Sequence, residues 1–196
     1  MAQIIETATG GVGKTDVDPV TLDLIENALR NARYEMDEVL FRTALSPGIR
    51  EQHDEFPLIA DPDGKMVVGQ FGLSIPDFLD GFDGTIEEGD VLLTSDPYAC
   101  GAAISHANDW LVVVPVFHEG RVVGWAAMFG HMSDVGGKTP SSMPTDARTI
   151  YEEGVVIPPF KLYAKGQVNE DALRIILNQV RMPDWNRADL NGLVAA

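Results

Sequence analysis

Trp110-Leu-Val-Val-Val-Pro-Val-Phe117 and Val122-Val-Gly-Trp-Ala-Ala-Met-Phe129 are two apolar runs, separated by His118-Glu-Gly-Arg121. Near-continuous apolar runs of this length predict strands that are buried on both faces. We therefore expect an antiparallel hairpin at the centre of a sheet, with Glu119-Gly120 as its two-residue turn. Pro115 then requires a bulge or an edge position, because proline donates no hydrogen bond to a strand ladder.

The segments before this hairpin predict one long helix and several short strands. Asp18-Pro19 offers an N-cap acceptor followed by proline at the first helical position, and Ser46-Pro47-Gly48 ends the pattern. Between them, to about Ala44, the apolar residues recur at helical spacing and predict a buried stripe: Leu22, Ile25, Leu29, Ala32, Met36, Val39 and Leu40. A second hairpin is predicted over 56–69, an exposed acidic loop over 76–90 and a short strand over 91–94.

The segments after the hairpin predict a long functional loop and two helices. The loop covers 132–160, and Asn169 caps a helix that stops at Pro183. A further helical pattern starts after Arg187 and reaches the last residue without a stop signal, so we expect the N-terminal part of a larger subunit. The predicted class is α+β: mostly antiparallel, buried β-hairpins packed with the long N-terminal helix and the C-terminal helices.

Charge and composition exclude several classes of function. The chain has 196 residues and a formal net charge of −16. We expect neither nucleic acid nor a membrane as partner, because both require a basic surface, and no apolar run is long enough to span a bilayer. Cys100 is the only cysteine, which favours a reducing, cytoplasmic location.

The amino terminus contains a segment that superficially resembles a phosphate-binding loop, Ala8-Thr-Gly-Gly-Val-Gly-Lys-Thr15. That mechanism requires a strand before the loop and a helix directly after it. The only residues before this segment that suggest a strand are Ile4-Ile5. After the segment, Val17-Asp18-Pro19 interrupts any helix. We therefore interpret residues 1–17 as a flexible arm, and residues 18–196 as the folded region.

The register of the central hairpin predicts a cluster of metal-binding residues. If His118 pairs with Arg121 across the turn, then Asp109 faces Gly130 and His131 faces Asn108, to within one residue. His131 is thereby brought close to Asp109 and to His106, three residues earlier. Two histidines and one carboxylate leave coordination positions open and suit manganese, iron or zinc. The alternative is that these side chains only satisfy buried backbone groups.

Other polar residues are weaker candidates. Asp134 is a further ligand, a residue that orients an imidazole, or a turn residue, and we favour the last two roles. The segment 53–55 and Asp96 line a pocket or act as loop and cap residues. We expect His118 to be exposed in the hairpin turn, and Cys100 to be structural. The sequence has no Gly-x-Ser-x-Gly elbow and no Cys-x-x-Cys pair.

Six segments, in the right order from Asp18 to the last residue, resemble the hydantoinase B/oxoprolinase family. They are Asp18-Pro-Val-Thr-Leu22, Arg42-Thr-Ala-Leu-Ser-Pro47, Asp96-Pro-Tyr98, Asp134-Val-Gly-Gly137, Pro140-Ser-Ser-Met-Pro144 and Glu153-Gly-Val-Val-Ile-Pro-Pro159. The family includes subunits of ATP-dependent hydantoin and 5-oxoproline hydrolases and of ketone carboxylases. Its members are several times longer than this chain.

The resemblance implies a metal and partner subunits. In acetone carboxylases the equivalent subunit holds manganese through two histidines and an aspartate, at a spacing that matches His106, Asp109 and His131. Zinc and iron are the alternatives. ATP is expected on a hydantoinase A-type partner subunit of a hetero-oligomer. Ser105-His-Ala-Asn-Asp-Trp110 and Gly130-His-Met132 look closer to the ketone carboxylase branch than to the hydrolases.

Two enzymatic functions follow from the resemblance, and a third function of a different class is considered beside them. The first is the metal-bearing, catalytic subunit of a ketone carboxylase of the acetone or acetophenone type, acting on a small ketone and bicarbonate with His106, Asp109 and His131 as catalytic metal ligands. The second is a subunit of an N-methylhydantoinase or 5-oxoprolinase that opens a cyclic amide. The third is a non-catalytic assembly segment. A requirement for bicarbonate distinguishes the first from the second.

Overall fold

The computed structural model describes residues 17–69, 74–141 and 143–196. The helices within them are α1 (Pro19–Thr43), α2 (Pro47–Arg50), α3 (Ile75–Asp80), α4 (Glu170–Leu177) and α5 (Pro183–Ala195). The strands are β1 (Glu55–Ala60), β2 (Met66–Gly69), β3 (Val91–Thr94), β4 (Asp109–His118), β5 (Arg121–His131), β6 (Phe160–Ala164) and β7 (Gln167–Val168), and a 3-10 turn covers Ile150–Glu152.

The seven strands form one sheet in the order β2-β1-β5-β4-β3-β6-β7. All the strand pairs in the described part of the chain are antiparallel. The predicted central hairpin is β4–β5, and it lies in the middle of the sheet with β1 on one side and β3 on the other. The predicted α+β class, built on antiparallel hairpins with N-terminal and C-terminal helices, is confirmed.

The register of β4 and β5 differs from the predicted one by a single residue. The turn is as predicted, with His118 opposite Arg121 and Phe117 opposite Val122. Val116 then faces Gly124, so one extra residue lies on β5 and the register shifts at this bulge. As a consequence, Asp109 lies opposite His131 rather than opposite Gly130, within the one-residue margin of the prediction.

Both faces of the sheet are covered by apolar side chains, as the near-continuous apolar runs predict. On one face Trp110, Val112 and Met128 pack among residues of α1, α4 and α5. On the other face Leu111, Val113 and Phe129 pack against α3 and the loop 95–108. The alternation of side chains along each strand therefore separates a face that is covered by long helices from a face that is covered by one short helix and a loop.

The long helix begins as predicted, but only its C-terminal half is buried. Asp18 caps it by accepting hydrogen bonds from the backbone N–H groups of Val20 and Thr21. Met36 and Leu40 are buried against the sheet, whereas Leu22 and Ile25 are exposed, so the prediction of one continuous buried stripe is wrong for the first turns. The helical spacing is present throughout, but only the later turns are covered well enough to bury their apolar side chains.

Three further boundaries differ from the sequence expectations. The segment 76–90 contains part of α3, whose Ile75 and Phe78 are fully buried, and is not wholly an exposed loop. Helix α4 ends at Leu177 rather than at Pro183, and Pro183 begins α5, earlier than the predicted start after Arg187, since proline is well suited to the first helical position. The strands β6 and β7 were not predicted, because both are short and only half-buried.

Two further expectations concern the amino-terminal segment and membrane spans. The phosphate-loop-like segment Ala8–Thr15 and almost all of the predicted arm lie outside the described residues. Within the described residues, none of the helices combines the length and the apolar character that crossing a bilayer requires.

One carboxyl group lies in the layer between α1 and the sheet. Glu55 is only 4% exposed, and its Oε2 atom has no hydrogen-bond partner among the described residues. Burial raises the pKa of Glu55 to about 8, and repulsion from the carboxylates of Asp37 and Asp54 acts in the same direction. The folded chain therefore keeps Glu55 protonated at pH values at which the unfolded chain has released that proton.

We predict that Glu55 makes folding stability fall as pH rises from about 4.5 to about 8. In this window the folded state binds more protons than the unfolded state, so this residue removes at most about 1.4 kcal/mol of unfolding free energy per pH unit. Glu55→Gln removes the titration, and urea unfolding at several pH values should show a flatter profile for this variant. Glu119→Gln, in the exposed hairpin turn, is the matched control. Parallel profiles for Glu55→Gln and the unmodified chain would contradict the prediction.

Candidate metal centre

The end of the central hairpin brings two metal-ligand types together. Asp109 is the first residue of β4 and His131 is the last residue of β5, and the two are directly opposite each other. Residues that face each other across an antiparallel pair project from the same face of the sheet. Asp109 and His131 share the face of Leu111 and Phe129, which is the one covered by α3 and the loop 95–108.

His106 reaches the same place from the turn that leads into β4. The backbone N–H of Asp109 donates to the carbonyl of His106 across 3.2 Å, which folds the chain back by three residues. The side chain of Glu153 holds this turn by accepting the N–H of Ala107 at 3.0 Å. Asn108 is fully buried, and its backbone and side chain exchange hydrogen bonds with the backbone of Met132, the residue after His131.

The three side chains converge on one point. Nε2 of His106 lies 3.0 Å from Oδ1 of Asp109 and 3.1 Å from Nδ1 of His131. Nδ1 of His131 lies 3.2 Å from the same oxygen of Asp109. The side chains of His106, Asp109 and His131 are 19%, 6% and 12% exposed, so the cluster is shielded but can be reached from solvent. The predicted convergence of these three residues is present in the fold.

These separations fit a divalent metal ion. With metal–ligand bonds of about 2.1 Å, neighbouring ligand atoms lie about 3.0 Å apart at right angles and about 3.4 Å apart at tetrahedral angles. A carboxylate oxygen and two imidazole nitrogens facing one point present lone pairs that one cation satisfies together. Among the described residues, His106, Asp109 and His131 form the one group of three or more His, Cys, Asp or Glu side chains with this convergence.

The protonation of the cluster reflects the shared carboxylate. Burial alone would raise the pKa of Asp109, but hydrogen bonds from His106 and His131 outweigh it and hold that pKa below its usual value. Burial works against protonation of His106, yet its hydrogen bond and charge attraction to Asp109 outweigh burial and raise its pKa. A metal ion entering the site therefore competes with a proton on His106.

Several neighbouring groups hold the three side chains in place. The hydroxyl oxygen of Ser105 lies 2.8 Å from Nδ1 of His106. The backbone carbonyl of Asp54 accepts the N–H of His131 at 3.1 Å, and its carboxylate lies 3.7 Å from Nδ1 of His131. Gly48 packs against His131 so closely that a Cβ atom there would lie 3.3 Å from Cδ2 of the ring.

Helix α5 also supports this region from the opposite face of the sheet. The carboxylate of Asp189 is fully buried and accepts the backbone N–H groups of Leu45 and Ser46, at the junction of α1 and α2. The hydroxyl of Ser46 in turn accepts the N–H of Ser133, two residues after His131. This chain of hydrogen bonds ties α5 to the segment that follows the candidate ligand.

Asp134 has the contacts of a turn residue. Its carboxylate accepts the N–H groups of Gly136 and Ser141 and the guanidinium of Arg181. Burial opposes ionisation of Asp134, but these hydrogen bonds outweigh burial and lower its pKa. These contacts support the role of a turn residue, which organises the loop 134–141. None of these contacts is to an imidazole ring, so they do not support a role in orienting His106 or His131.

The remaining candidates separate into cap, surface and site-lining residues. Asp96 caps the next turn by accepting the N–H groups of Tyr98 and Ala99. His118 is exposed in the hairpin turn, as predicted, and Cys100 is fully buried, which agrees with a structural role. Of the segment 53–55, only Asp54 contacts a candidate ligand in the described structure.

Three neighbours of the site, Ser105, Glu153 and Gly48, were not among the residues predicted from the sequence. Ser105 is adjacent to His106, so its hydroxyl is the one local signal among the three. Glu153 is 46 residues away from Ala107 in sequence, and only the folded loop brings the two together. The contact of Gly48 with His131 depends on how α2 packs beneath the end of β5.

Together, the antiparallel sheet and the two-histidine, one-aspartate cluster define an α+β protein with a candidate divalent-metal centre at the end of a buried hairpin. The Hydantoinase B/oxoprolinase family model matches residues 18–196. The chain belongs to this family, as its sequence motifs predicted.

Similar proteins include subunits of ATP-dependent enzymes. Caprolactamase subunit beta of Pseudomonas jessenii is 37% identical over 189 residues, which cover 92% of this chain and 32% of that protein. The 5-oxoprolinase of Dictyostelium discoideum is 32% identical over 199 residues, covering 95% of this chain and 16% of that protein. The chain therefore spans about one third or less of the length of these relatives.

Two solved structures share the fold. The crystal structure of the ATP-dependent caprolactamase from Pseudomonas jessenii superposes with a TM-score of 0.81 at 35% identity, covering 92% of this chain and 32% of that one. The nucleotide-free structure of acetone carboxylase gives a TM-score of 0.79 at 20% identity, covering 91% and 24% respectively. At that lower identity, the likeness to acetone carboxylase concerns the fold alone.

We predict that Asp109→Asn lowers the pKa of His106 in the metal-free chain. The substitution removes the charge and the strongest acceptor that stabilise the imidazolium, and leaves the opposing effect of burial in place. A titration of the His106 ring followed by NMR measures the change. Asp96→Asn, which removes a carboxylate from the same loop, is the control and should leave that titration unchanged. A midpoint that does not move in Asp109→Asn would show that the two side chains are not coupled.

Proposed function

We propose that this chain forms the metal-bearing part of a subunit of an ATP-dependent enzyme that opens cyclic amides. The observation that carries the proposal is the convergence of His106, Asp109 and His131 within 3.2 Å of one another, at a place that remains reachable from solvent. Three protein ligands leave further coordination positions open, as in catalytic rather than purely structural metal sites.

The similar proteins support the choice of substrate class. Caprolactamase and 5-oxoprolinase are names of enzymes that act on lactams, and both relatives exceed 30% identity over more than nine tenths of this chain. The caprolactamase structure also shares the fold at 35% identity. For these reasons we propose the opening of a cyclic amide as the first candidate. Ketone carboxylation, which the sequence motifs favoured, becomes the second.

The histidines and the aspartate have different tasks in this proposal. His106 and His131 offer neutral nitrogen donors, and Asp109 adds the negative charge that offsets part of the charge of the cation. Manganese is the expected metal, with zinc and iron as alternatives. A divalent cation bound here supplies Lewis-acid polarisation of a substrate carbonyl or phosphoryl oxygen.

The surrounding residues of this chain define what can approach the centre. The carboxylate of Asp54 lies 3.7 Å from Nδ1 of His131 and is partly exposed, so it borders the accessible side of the site. The buried pairing of Asn108 with Met132 fixes the separation of the two strand ends. Together these residues orient the ligands and keep one side of the cluster free for a substrate.

ATP is assigned in this proposal to a hydantoinase A-type partner subunit. The chain spans about one third of caprolactamase subunit beta, so the complete enzyme requires considerably more polypeptide than these residues. A phosphorylated substrate formed on the partner would have to reach the metal centre without being lost to water, which calls for a large and stable interface between subunits.

Ketone carboxylation is the second candidate, and the residues that flank the ligands favour it. Ala107-Asn108 between the first two ligands and Met132 after the third resemble the ketone carboxylase branch of the family. Asn108 and Met132 are also the buried pair that holds the strand ends together, so this sequence difference lies at the site itself.

The two candidates predict different fates for bicarbonate. The chain should be co-expressed with its hydantoinase A-type partner and assayed for ATP consumption with lactams and with small ketones in the presence of labelled bicarbonate. Ring opening gives an amino acid without label, whereas carboxylation gives a labelled carboxylate. Labelled product formed from a ketone, with lactams inert, would replace the first proposal by the second. A complex without metal and without turnover would favour an assembly segment.

We predict that His131→Ala reduces the affinity of the chain for zinc or manganese by more than about 100-fold, since the loss of a ligand should exceed the effect of losing a group that only orients one. Isothermal titration calorimetry of the full 196-residue chain measures this change. His118→Ala, at the opposite end of the same hairpin, is the matched control and should bind metal like the unmodified chain. Equal affinities for His131→Ala and His118→Ala would overturn the metal centre.

A further inference from the structure

The two ring nitrogens of His106 have different partners. Nε2 faces the cluster, at 3.0 Å from Asp109 and 3.1 Å from His131. Nδ1 points away from the cluster and lies 2.8 Å from the hydroxyl oxygen of Ser105. The ring is therefore held between the candidate metal centre on one side and one hydroxyl group on the other.

A neutral imidazole carries a single ring proton, so a ring that offers the lone pair of Nε2 to a metal must carry that proton on Nδ1. The Nδ1–H group then requires an acceptor. The hydroxyl oxygen of Ser105 is at hydrogen-bond distance and has lone pairs available. The position of the Ser105 hydroxyl thus suits the tautomer of His106 that metal binding requires, in which Nδ1 carries the proton.

We propose that Ser105 is a positioning residue, which accepts the Nδ1–H of His106 and thereby directs the lone pair of Nε2 at the metal. This inference rests on the proposed function of His106, Asp109 and His131 as a metal centre. It adds a residue outside that cluster, with a role in metal affinity and not in contact with the metal or the substrate.

The backbone around His106 shows why a side-chain contact is needed. Glu153 accepts the backbone N–H of Ala107, and the carbonyl of Met132 accepts the side-chain amide of Asn108, which fixes the position of the turn. These anchors leave the last side-chain torsion of His106 open, and that torsion has a broad range in histidine. The hydrogen bond to Ser105 restricts this torsion and keeps Nδ1 turned away from the cluster.

His131 is oriented in a different way. It turns its Nδ1 atom, not Nε2, toward the cluster. Its backbone N–H is held by the carbonyl of Asp54, and its ring lies against Gly48, where there is no room to spare. Packing therefore positions His131 at the end of a strand, whereas His106, in a turn, depends on a hydrogen bond.

The test compares zinc binding by the full chain and its variants at position 105. Ser105→Ala should weaken zinc binding by about 10-fold, the lower end of the range for groups that orient a ligand, because water can partly replace an exposed hydroxyl. Ser105→Thr keeps the acceptor and should restore the affinity. Ser133→Ala, which removes a hydroxyl two residues after the candidate ligand His131, should bind zinc like the unmodified chain.

A spectroscopic measurement separates positioning from a general structural effect. In the zinc-loaded chain labelled with nitrogen-15, the Nδ1–H of His106 should give a resonance protected from exchange with water. That protection should be lost in Ser105→Ala and kept in Ser105→Thr, while the thermal unfolding of the metal-free variants stays alike.

The possible failures can be told apart. If the unmodified chain and Ser105→Ala bind zinc equally and protect the Nδ1–H equally, the role of Ser105 is overturned and the metal centre stands. If the unmodified chain binds no zinc, the metal centre itself is overturned, and the role of Ser105 with it. A loss in Ser105→Ala that Ser105→Thr does not restore would also contradict the proposal.

Discussion

The pairing of Asp109 with His131 across β4 and β5 is the constraint on which the candidate site depends. Facing residues in an antiparallel pair share one face of the sheet, and a shift of one residue would separate them. Without the bulge near Val116, Asp109 would face Gly130, and His131 would project from the opposite face. The extra residue in β5 therefore places both candidate ligands on the same face of the sheet.

That side is also the more accessible one. The opposite face is filled by α1, α4 and α5, and Gly130 lies so close to the helical layer that a Cβ atom there would meet Ile49 at 2.7 Å. A side chain that projected from this face at position 130 would therefore meet packed apolar side chains. The same alternation separates two neighbouring acids: Asp54 borders the candidate metal centre, while Glu55 lies beneath α1 with a raised pKa.

Local signals predicted much of this fold. The cap at Asp18, the turn at Glu119-Gly120 and the apolar runs on either side of it depend on neighbouring residues, and the structure has all three. The exposure of Leu22, by contrast, depends on how much of the helix the rest of the fold covers, which helical spacing does not contain. The contact of Glu153 with the turn before β4 depends on a long folded loop, so no local pattern indicated it.

The charge of the chain is best understood from the way the site is assembled. Most of its 30 acidic residues lie on the surface, but Asp109 is buried between two imidazoles that give it hydrogen bonds in the metal-free chain. The donor atoms are already 3.0–3.2 Å apart, so a cation needs to displace a proton rather than reorganise the backbone. Bringing these groups together costs free energy. The pairing of the sheet, the bulge and the Asn108–Met132 hydrogen bonds offset that cost when the chain folds. A site organised in this way has its three donor atoms in place without a contribution from any other polypeptide.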